Sequence, residues 1–332
     1  MRRNLYRTIA GCLLFTAVGF AQTIYKSAGT YPLQGEGFWD YLTFDTAANR
    51  LFIAHGTSID VVDPQGKLLG QIPADGAHGT ALVQDKNLGF STNGRAGTIT
   101  VFDLKSLKKL QDIKVSDGPD AIIYDPHSKH VVVMHGKSQS IEAINPDTKQ
   151  IDATVPLGGK LEFAAADAGR VYINVEDKSE IAAVDTKTWK EVSRWKLADC
   201  EDPSGLAIDE KNHVLFTTCG NAKMLVLDTS NGKVVSTVKT GDGTDAGAFD
   251  PGTGYAFASN GEGTLTVVKK SGNGYDVAQD VQTMRSARTM AVDPNTHNVY
   301  LVGADFEAPA PGERRGKMKP GTFKLLVYSL AK

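Results

Sequence analysis

The sequence lacks the short motifs that mark common enzyme centres. It has no Cys-x-x-Cys-His, and so no site for covalent haem attachment. It has no His-Glu-x-x-His zinc helix and no Gly-x-Ser-x-Gly nucleophile turn. Charge of one sign is also missing. Lys and Arg number 36 against 38 Asp and Glu, for a net charge of −2, which excludes a protein built on bulk attraction to a phosphate backbone and leaves room only for a local basic patch. Long apolar runs are absent beyond the N-terminus. What the chain has in quantity is glycine, 34 residues, which suits many short strands joined by tight turns.

The single apolar run, Ile9 to Phe20, follows Arg2, Arg3 and Arg7 and ends in Gly19-Phe20-Ala21. A basic segment, an apolar segment and a small-x-small site read as a secretory signal over residues 1–21, cleaved after Ala21. The run is short for a membrane span, so no transmembrane segment is expected in the mature protein. Arg2-Arg3 is a loose twin-arginine pattern. Cys12 stands near the start of the apolar stretch, most of which follows it, and this places it too early for a lipoprotein cysteine. The expected location is the periplasm or the exterior.

From there on the chain is periodic. A run ending in Asp recurs as YLTFD at Asp45, ALVQD at Asp85, AIIYD at Asp125, FAAAD at Asp167, GLAID at Asp209, AGAFD at Asp250 and TMAVD at Asp293, at intervals of 40, 40, 42, 42, 41 and 43 residues. Each Asp is followed by a short turn and a second apolar run, then by a third and a fourth. Four short strands per repeat, seven times over, is the pattern of a β-propeller. The seventh repeat ends after its third strand, FKLLVYSL, while an orphan strand, TIYKSAGTYPL, precedes the first. Pairing the two completes the seventh blade and closes the ring, whereas an open solenoid leaves both unexplained and exposes strand edges. The expectation is an all-β, seven-bladed propeller of antiparallel strands over residues 22–332, a monomer.

Repeat alignment puts Cys200 in the loop entering the fifth blade and Cys219 at the end of that blade's second strand, on one face of the ring. In an oxidising compartment a disulfide is expected. Free buried thiols or a thiolate metal site are the other readings.

Candidate site residues follow from position in the ring. Five places before each motif Asp stand Asp40, Thr80, Asp120, Glu162, Ser204, Asp245 and Arg288. In a sevenfold ring these converge on the mouth of the axial channel. The second strands end at His55, Asn93, His135, Val175, Cys219, Asn260 and Gly303 on the same face, and His78 joins them from the loop entering the second blade. His127, His130, His213 and His297 fall in turns on the opposite face. The mouth is therefore expected to bind a ligand through Asp40, Asp120, Glu162, Asp245, Arg288, His55, His78 and His135, with Trp39 as a stacking surface. No motif marks a cofactor, but carboxylate and imidazole together suit a divalent metal, for which Asp40, Glu162, Asp245, His55 and His135 are the candidate ligands. Simple hydrogen bonding of these carboxylates to loop amides is the plainer alternative. Across the same face lies a long Pro-rich insertion, residues 305–321, carrying Arg314, Arg315, Lys317 and Lys319. It is expected to be a lid or a mobile loop.

The second-strand runs GFSTNG (Gly89 to Gly94), VYINVED (Val171 to Asp177) and AFASNG (Ala256 to Gly261) resemble those of the YncE-like, YVTN-repeat seven-bladed propellers, as do the third-strand turns VVDPQGK, AVDTKTWKEV and VLDTSNGKVV. The resemblance covers nearly all of the mature chain. It implies a propeller of a periplasmic or secreted kind that acts by binding or scaffolding, and it supplies no catalytic motif. The fourth repeat lacks the Asn-Gly turn and the seventh carries the insertion, both departures from the pattern. The function expected is a binding or interaction module whose partner is a small ligand, a peptide or a periplasmic protein. A metal-dependent lactonase or lyase is the alternative, and nucleic-acid binding through the basic insertion is a lesser one.

Overall fold

The computed structural model describes residues 23–309, 312 and 316–331. The expected signal over residues 1–21 lies outside the described residues, as do Arg314 and Arg315. Seven sheets of four antiparallel strands are present. Their innermost strands touch in a closed cycle, each blade against the next and the seventh, Thr289–Asp293, against the first, Trp39–Asp45.

Local chemistry explains the motif Asp. Asp45, Asp125, Asp250 and Asp293 are buried, and each carboxylate accepts amide protons from the turn that follows: Ala47 at 3.1 Å, His127 at 3.0 Å, Gly252 at 3.0 Å and Asn295 at 3.0 Å. A residue in the left-handed region then ends the turn, as at Asn49 (φ 50°), Lys129 (φ 59°) and His297 (φ 63°). An Asx turn of this kind satisfies a buried carboxylate and fixes strand register together. The second strands read as continuous apolar runs because blades pack on both their faces: Leu51, Phe52, Ile53 and Ala54 are all fully buried. Outer strands are mostly exposed; Leu68–Pro73, Lys109–Lys114, Ile151–Pro156 and Val234–Lys239 each bury one side chain, Ile72, Ile113, Val155 and Val238. Toward the axis the strands approach so closely that a Cβ on Gly205 would lie 2.2 Å from the Gly247 amide nitrogen. Only glycine fits there.

The ring closes as the incomplete seventh repeat requires. Strand Tyr25–Pro32 pairs antiparallel with Lys324–Leu330, from Tyr25 opposite Leu330 to Pro32 opposite Lys324. Tyr25 is the fully buried anchor of this strand. Its ring meets Phe257 edge-on at 5.2 Å, and its hydroxyl donates to the His297 carbonyl at 3.0 Å.

The second repeat departs from the period. Its inner strand runs Ala77–Val83, and Asp85 falls in a 3-10 turn, Gln84–Lys86, where it is exposed. Pairing registers put Ala77 opposite Asn93 just as Trp39 lies opposite His55 and Pro119 opposite His135. The position equivalent to Asp40 is therefore His78, not Thr80, and the expected column is corrected by two residues in this blade. Thr80 is buried and turns its carbonyl to the Thr43 hydroxyl at 2.7 Å.

Candidate functional site: an acidic cup at the axial mouth

Seven equivalent positions, one per blade, ring the channel mouth: Asp40, His78, Asp120, Glu162, Ser204, Asp245 and Arg288. The backbone behind them is held by polar side chains one place before the end of the preceding blade's second strand. Thr92 donates to the Asp120 carbonyl at 2.5 Å, Asn174 to that of Ser204 at 2.9 Å and Thr218 to that of Asp245 at 2.6 Å, and Ser259 donates to the Arg288 carbonyl. Sequence reasoning missed these clamps. Their only signal was a hydroxyl or amide inside an otherwise apolar strand, where an unpaired polar group would be costly. The clamps fix the ring atoms without occupying the mouth.

Six of the seven ring side chains fall into three sets. His78 Nδ1 lies 2.6 Å from Asp40 Oδ2 and 3.6 Å from Asp120 Oδ1. Burial by itself lowers the His78 pKa, but the hydrogen bond to Asp40 and the charges of Asp120, Asp40 and Glu162 outweigh it, and the imidazole is pushed up to about 9. Burial and the neighbouring Asp40 raise Asp120 well above the carboxylate range, against the opposing pull of His78. In the second set Lys160 bridges Glu162, at 2.8 Å, and Glu176. Burial, Asp120 and Glu176 push Glu162 up to about 8 despite that lysine. The third set is the Arg288–Asp245 ion pair.

Tyr41 forms the floor. From the first blade its hydroxyl reaches across the axis to Glu162 of the fourth, donating at 3.2 Å, and its ring packs 5.0 Å from Phe163. Burial and the surrounding carboxylates hold its pKa far above the ordinary phenol value. Above it opens a cavity of about 1430 Å³ lined by Asp40, Tyr41, His78, Asp120, Lys160, Glu162, Ser204, Asp245 and Arg288.

The insertion folds back over this cavity as a hairpin. Phe306 bridges Met318, the Glu307 amide donates to the Lys317 carbonyl at 2.9 Å, and that of Lys319 to Asp305 at 2.8 Å. Gly316 lets the two arms approach, since a Cβ there would sit 1.8 Å from the Glu307 carbonyl oxygen. Phe306 also packs on Trp39 at 5.9 Å. The hairpin separates the cup from a second cavity of about 620 Å³ lined by Phe38, Trp39, Arg285, Arg288, Phe306 and Lys319.

Three expectations need correction. His55 and His135 do not reach the mouth. Their side chains turn into the blade, where His55 Nδ1 lies 2.8 Å from Asp60 and His135 Nε2 lies 3.3 Å from Glu142, with both histidines buried. Polar pairs fill this slot in other blades too: Asn93 with Thr100 at 2.9 Å and Asn260 with Thr266 at 3.1 Å. The metal set of Asp40, Glu162, Asp245, His55 and His135 is therefore not brought together. Instead one ligand atom each of Asp40, His78 and Asp120 lie within 4.8 Å of one another. Trp39 is not an open stacking surface: it is 7% exposed, packed between the first and seventh blades on Phe323 at 5.1 Å, while its neighbour Phe38 is 57% exposed. In the fifth blade Cys219 takes the slot of His55 and joins Cys200 in a disulfide with Cα atoms 5.2 Å apart. Of the other four histidines, His127, His213 and His297 lie in strand turns, while His130 opens the strand His130–His135. His297 pairs with Asp250 at 2.8 Å and His130 with Asp152 at 3.0 Å.

Fold and site together define a seven-bladed propeller with a capped, acidic axial cup. The Salmonella typhimurium protein described as "Uncharacterized protein YncE" is 25% identical to this chain over 174 residues, 50% of this chain and 48% of that protein. The chain thus spans about half the length of this curated relative. The likeness and the seven-bladed ring support a YncE-like propeller. No family model matches. Among solved structures, U3-55K superposes with a TM-score of 0.77 at 12% identity, over 91% of this chain and 99% of that one. The WD40 repeats of RRP9 give 0.78 at 12%, over 93% and 99%. A chain of Kuenenia stuttgartiensis hydrazine synthase gives 0.67 at 16%, over 82% and 95%. At these identities the neighbours share the fold alone.

Proposed function

We propose that the protein is an exported binding module that holds a small polar ligand, or a peptide or protein segment, in the axial cup. The carrying observation is asymmetry within a symmetric ring. Positions that serve the fold repeat from blade to blade, as the turn Asp does, whereas the mouth position changes chemistry at almost every blade and lines a roofed cavity of about 1430 Å³. Concave sites with a few convergent polar groups and displaced pKa values are where ligands bind. The propeller fold with WD40-like neighbours supports an interaction module in general. Export is supported by the signal pattern of residues 1–21 and by the Cys200–Cys219 disulfide, which suits an oxidising compartment. Among the described residues no helix is long and apolar enough to cross a membrane. The carboxylate lining speaks for a ligand that donates hydrogen bonds or carries positive charge, and against a nucleic-acid strand.

Native mass spectrometry of exported, untagged protein purified without chelator tests this reading. The expected result is a copurified organic adduct that disappears in Glu162→Gln/Asp245→Asn while the fold persists. An adduct retained by that variant, or lost instead on changing His127, His213 and His297, overturns the assignment of the face.

A further inference from the structure

We propose that Asp40, His78 and Asp120 form a binding site for a single divalent transition-metal ion at one side of the cup. This deepens the cup reading above and rests on it. The three donors come from the same ring position of three consecutive blades, and their ligand atoms lie within 4.8 Å of one another. Oxygen and nitrogen donors bind zinc at about 2.0–2.2 Å in a tetrahedral shell, which puts neighbouring donors roughly 3.3–3.6 Å apart. Closing the set needs side-chain adjustment of about an ångström at its widest pair, within the reach of a rotamer change.

The atom that His78 turns to both carboxylates is Nδ1, 2.6 Å from Asp40 Oδ2 and 3.6 Å from Asp120 Oδ1. A proton on that nitrogen occupies the space a metal takes, and binding exchanges one for the other. One imidazole and two carboxylates form a donor set for zinc, manganese, iron or cobalt; the nitrogen disfavours calcium and magnesium, which prefer all-oxygen shells.

The pairing of charges around the mouth is a separate observation that points the same way. Glu162 has Lys160 at 2.8 Å, and Asp245 has Arg288. Asp40 and Asp120 have no lysine or arginine within 4.0 Å among the described residues and share one histidine. Two carboxylates against one imidazole leave one charge unmatched, and a divalent ion bound to a neutral His78 matches both. The donors are also braced. The Thr92 hydroxyl accepts the Gly79 amide at 2.9 Å and donates to the Asp120 carbonyl at 2.5 Å, tying the backbones beside His78 and Asp120 together. Remaining coordination positions face the cavity, where water or a ligand oxygen completes the shell.

Isothermal titration of untagged, disulfide-intact protein with Zn²⁺, and optical titration with Co²⁺, test the site. The expected result is one equivalent of Zn²⁺, visible d–d bands with Co²⁺, and at least tenfold weaker binding in both His78→Gln and Asp120→Asn, with far-ultraviolet circular dichroism unchanged. Ca²⁺ should not compete at a hundredfold excess. His297→Gln, on the opposite face, should bind Zn²⁺ as the wild type does. No stoichiometric binding, unchanged affinity in the two single variants, or displacement by Ca²⁺ overturns the site. If Zn²⁺ fails to bind yet the organic adduct still depends on Glu162 and Asp245, the metal site is wrong and the cup reading stands; if Zn²⁺ binds and no adduct depends on them, the reverse holds.

Discussion

Closure of the ring depends on one side chain more than on any other in the closing strand. In Tyr25–Pro32 only Tyr25 is buried; Lys26, Ser27 and Ala28 are exposed. Tyr25 packs edge-on against Phe257 at 5.2 Å and Tyr255 at 6.2 Å, its hydroxyl donates to the His297 carbonyl at 3.0 Å, and its backbone amide donates to Gln279 Oε1 at 2.7 Å. Replacing a fully buried aromatic by alanine costs about 3–5 kcal/mol through lost transfer energy and the cavity left behind. Tyr25→Phe loses one hydrogen bond and should cost about 1 kcal/mol. Ser27→Ala, on the same strand but exposed, should stay within about 0.5 kcal/mol. Equilibrium urea unfolding followed by both fluorescence and circular dichroism measures all three. If the blades unfold as one closed unit, the two probes coincide and the full cost appears in the midpoint. Should Tyr25→Ala match Ser27→Ala, or should only proteolysis of the N-terminal strand change while the midpoint stays put, the ring does not depend on this strand and the argument for closure fails.

Three further outcomes are expected. Reducing the Cys200–Cys219 bond, which spans 19 residues, should lower stability by about 3 kcal/mol, and non-reducing mass spectrometry of exported protein should show a mass two protons below the reduced form; thiols that label in the native protein refute it. Glu142 is held below the usual carboxylate range, because the His135 and Ser116 contacts outweigh burial; its contribution to stability is therefore fully present above the unfolded value near 4.5 and lost as pH falls from there through the lower folded value. Glu142→Gln should cost roughly 1–3 kcal/mol at pH 7 and flatten the pH dependence of stability between about pH 5 and 3, and equal slopes in wild type and variant would count against the pair. Changing His127, His213 and His297 to Gln should leave adduct and Zn²⁺ binding intact while lowering stability by about 1 kcal/mol through the lost His297–Asp250 contact; loss of binding would move the site to the other face.

The ring and its closure were legible in the sequence because the signals are local. A buried Asp capping its own turn repeats wherever the turn repeats, and the orphan strand could be matched to the missing one by counting. The mouth column was legible for the same reason in six blades. It failed in the second, where the turn is a 3-10 helix and the strand ends two residues earlier, so counting back from Asp85 reached Thr80 instead of His78. The error over His55 and His135 has another source. Reaching the correct end of a blade does not decide which way a side chain turns, and the side chains that close these strands face the third strand of their own blade. The hairpin of the insertion was not legible at all, because its pairing of Phe306 with Met318 is joined to a contact with Trp39, some 270 residues earlier in the chain.

These failures and successes explain why a fold this regular can carry a specific site. Each mouth residue belongs to a different blade, and in four of them its backbone is clamped by a side chain of the blade before. Changing the side chain at the mouth therefore alters chemistry without disturbing the clamp, and the ring tolerates Asp, His, Glu, Ser or Arg at one geometric position. Trp39 adds a second coupling. It packs against Phe323 of the closing blade and Phe306 of the hairpin, and the residue after it is Asp40. The seam where the ring closes, the roof and the proposed metal site thus meet at two consecutive residues of the first inner strand. A ligand that binds the closed ring and not the opened one stabilises that seam in proportion to RT ln(1 + [L]/Kd), so occupancy of the cup and integrity of the ring are parts of one equilibrium.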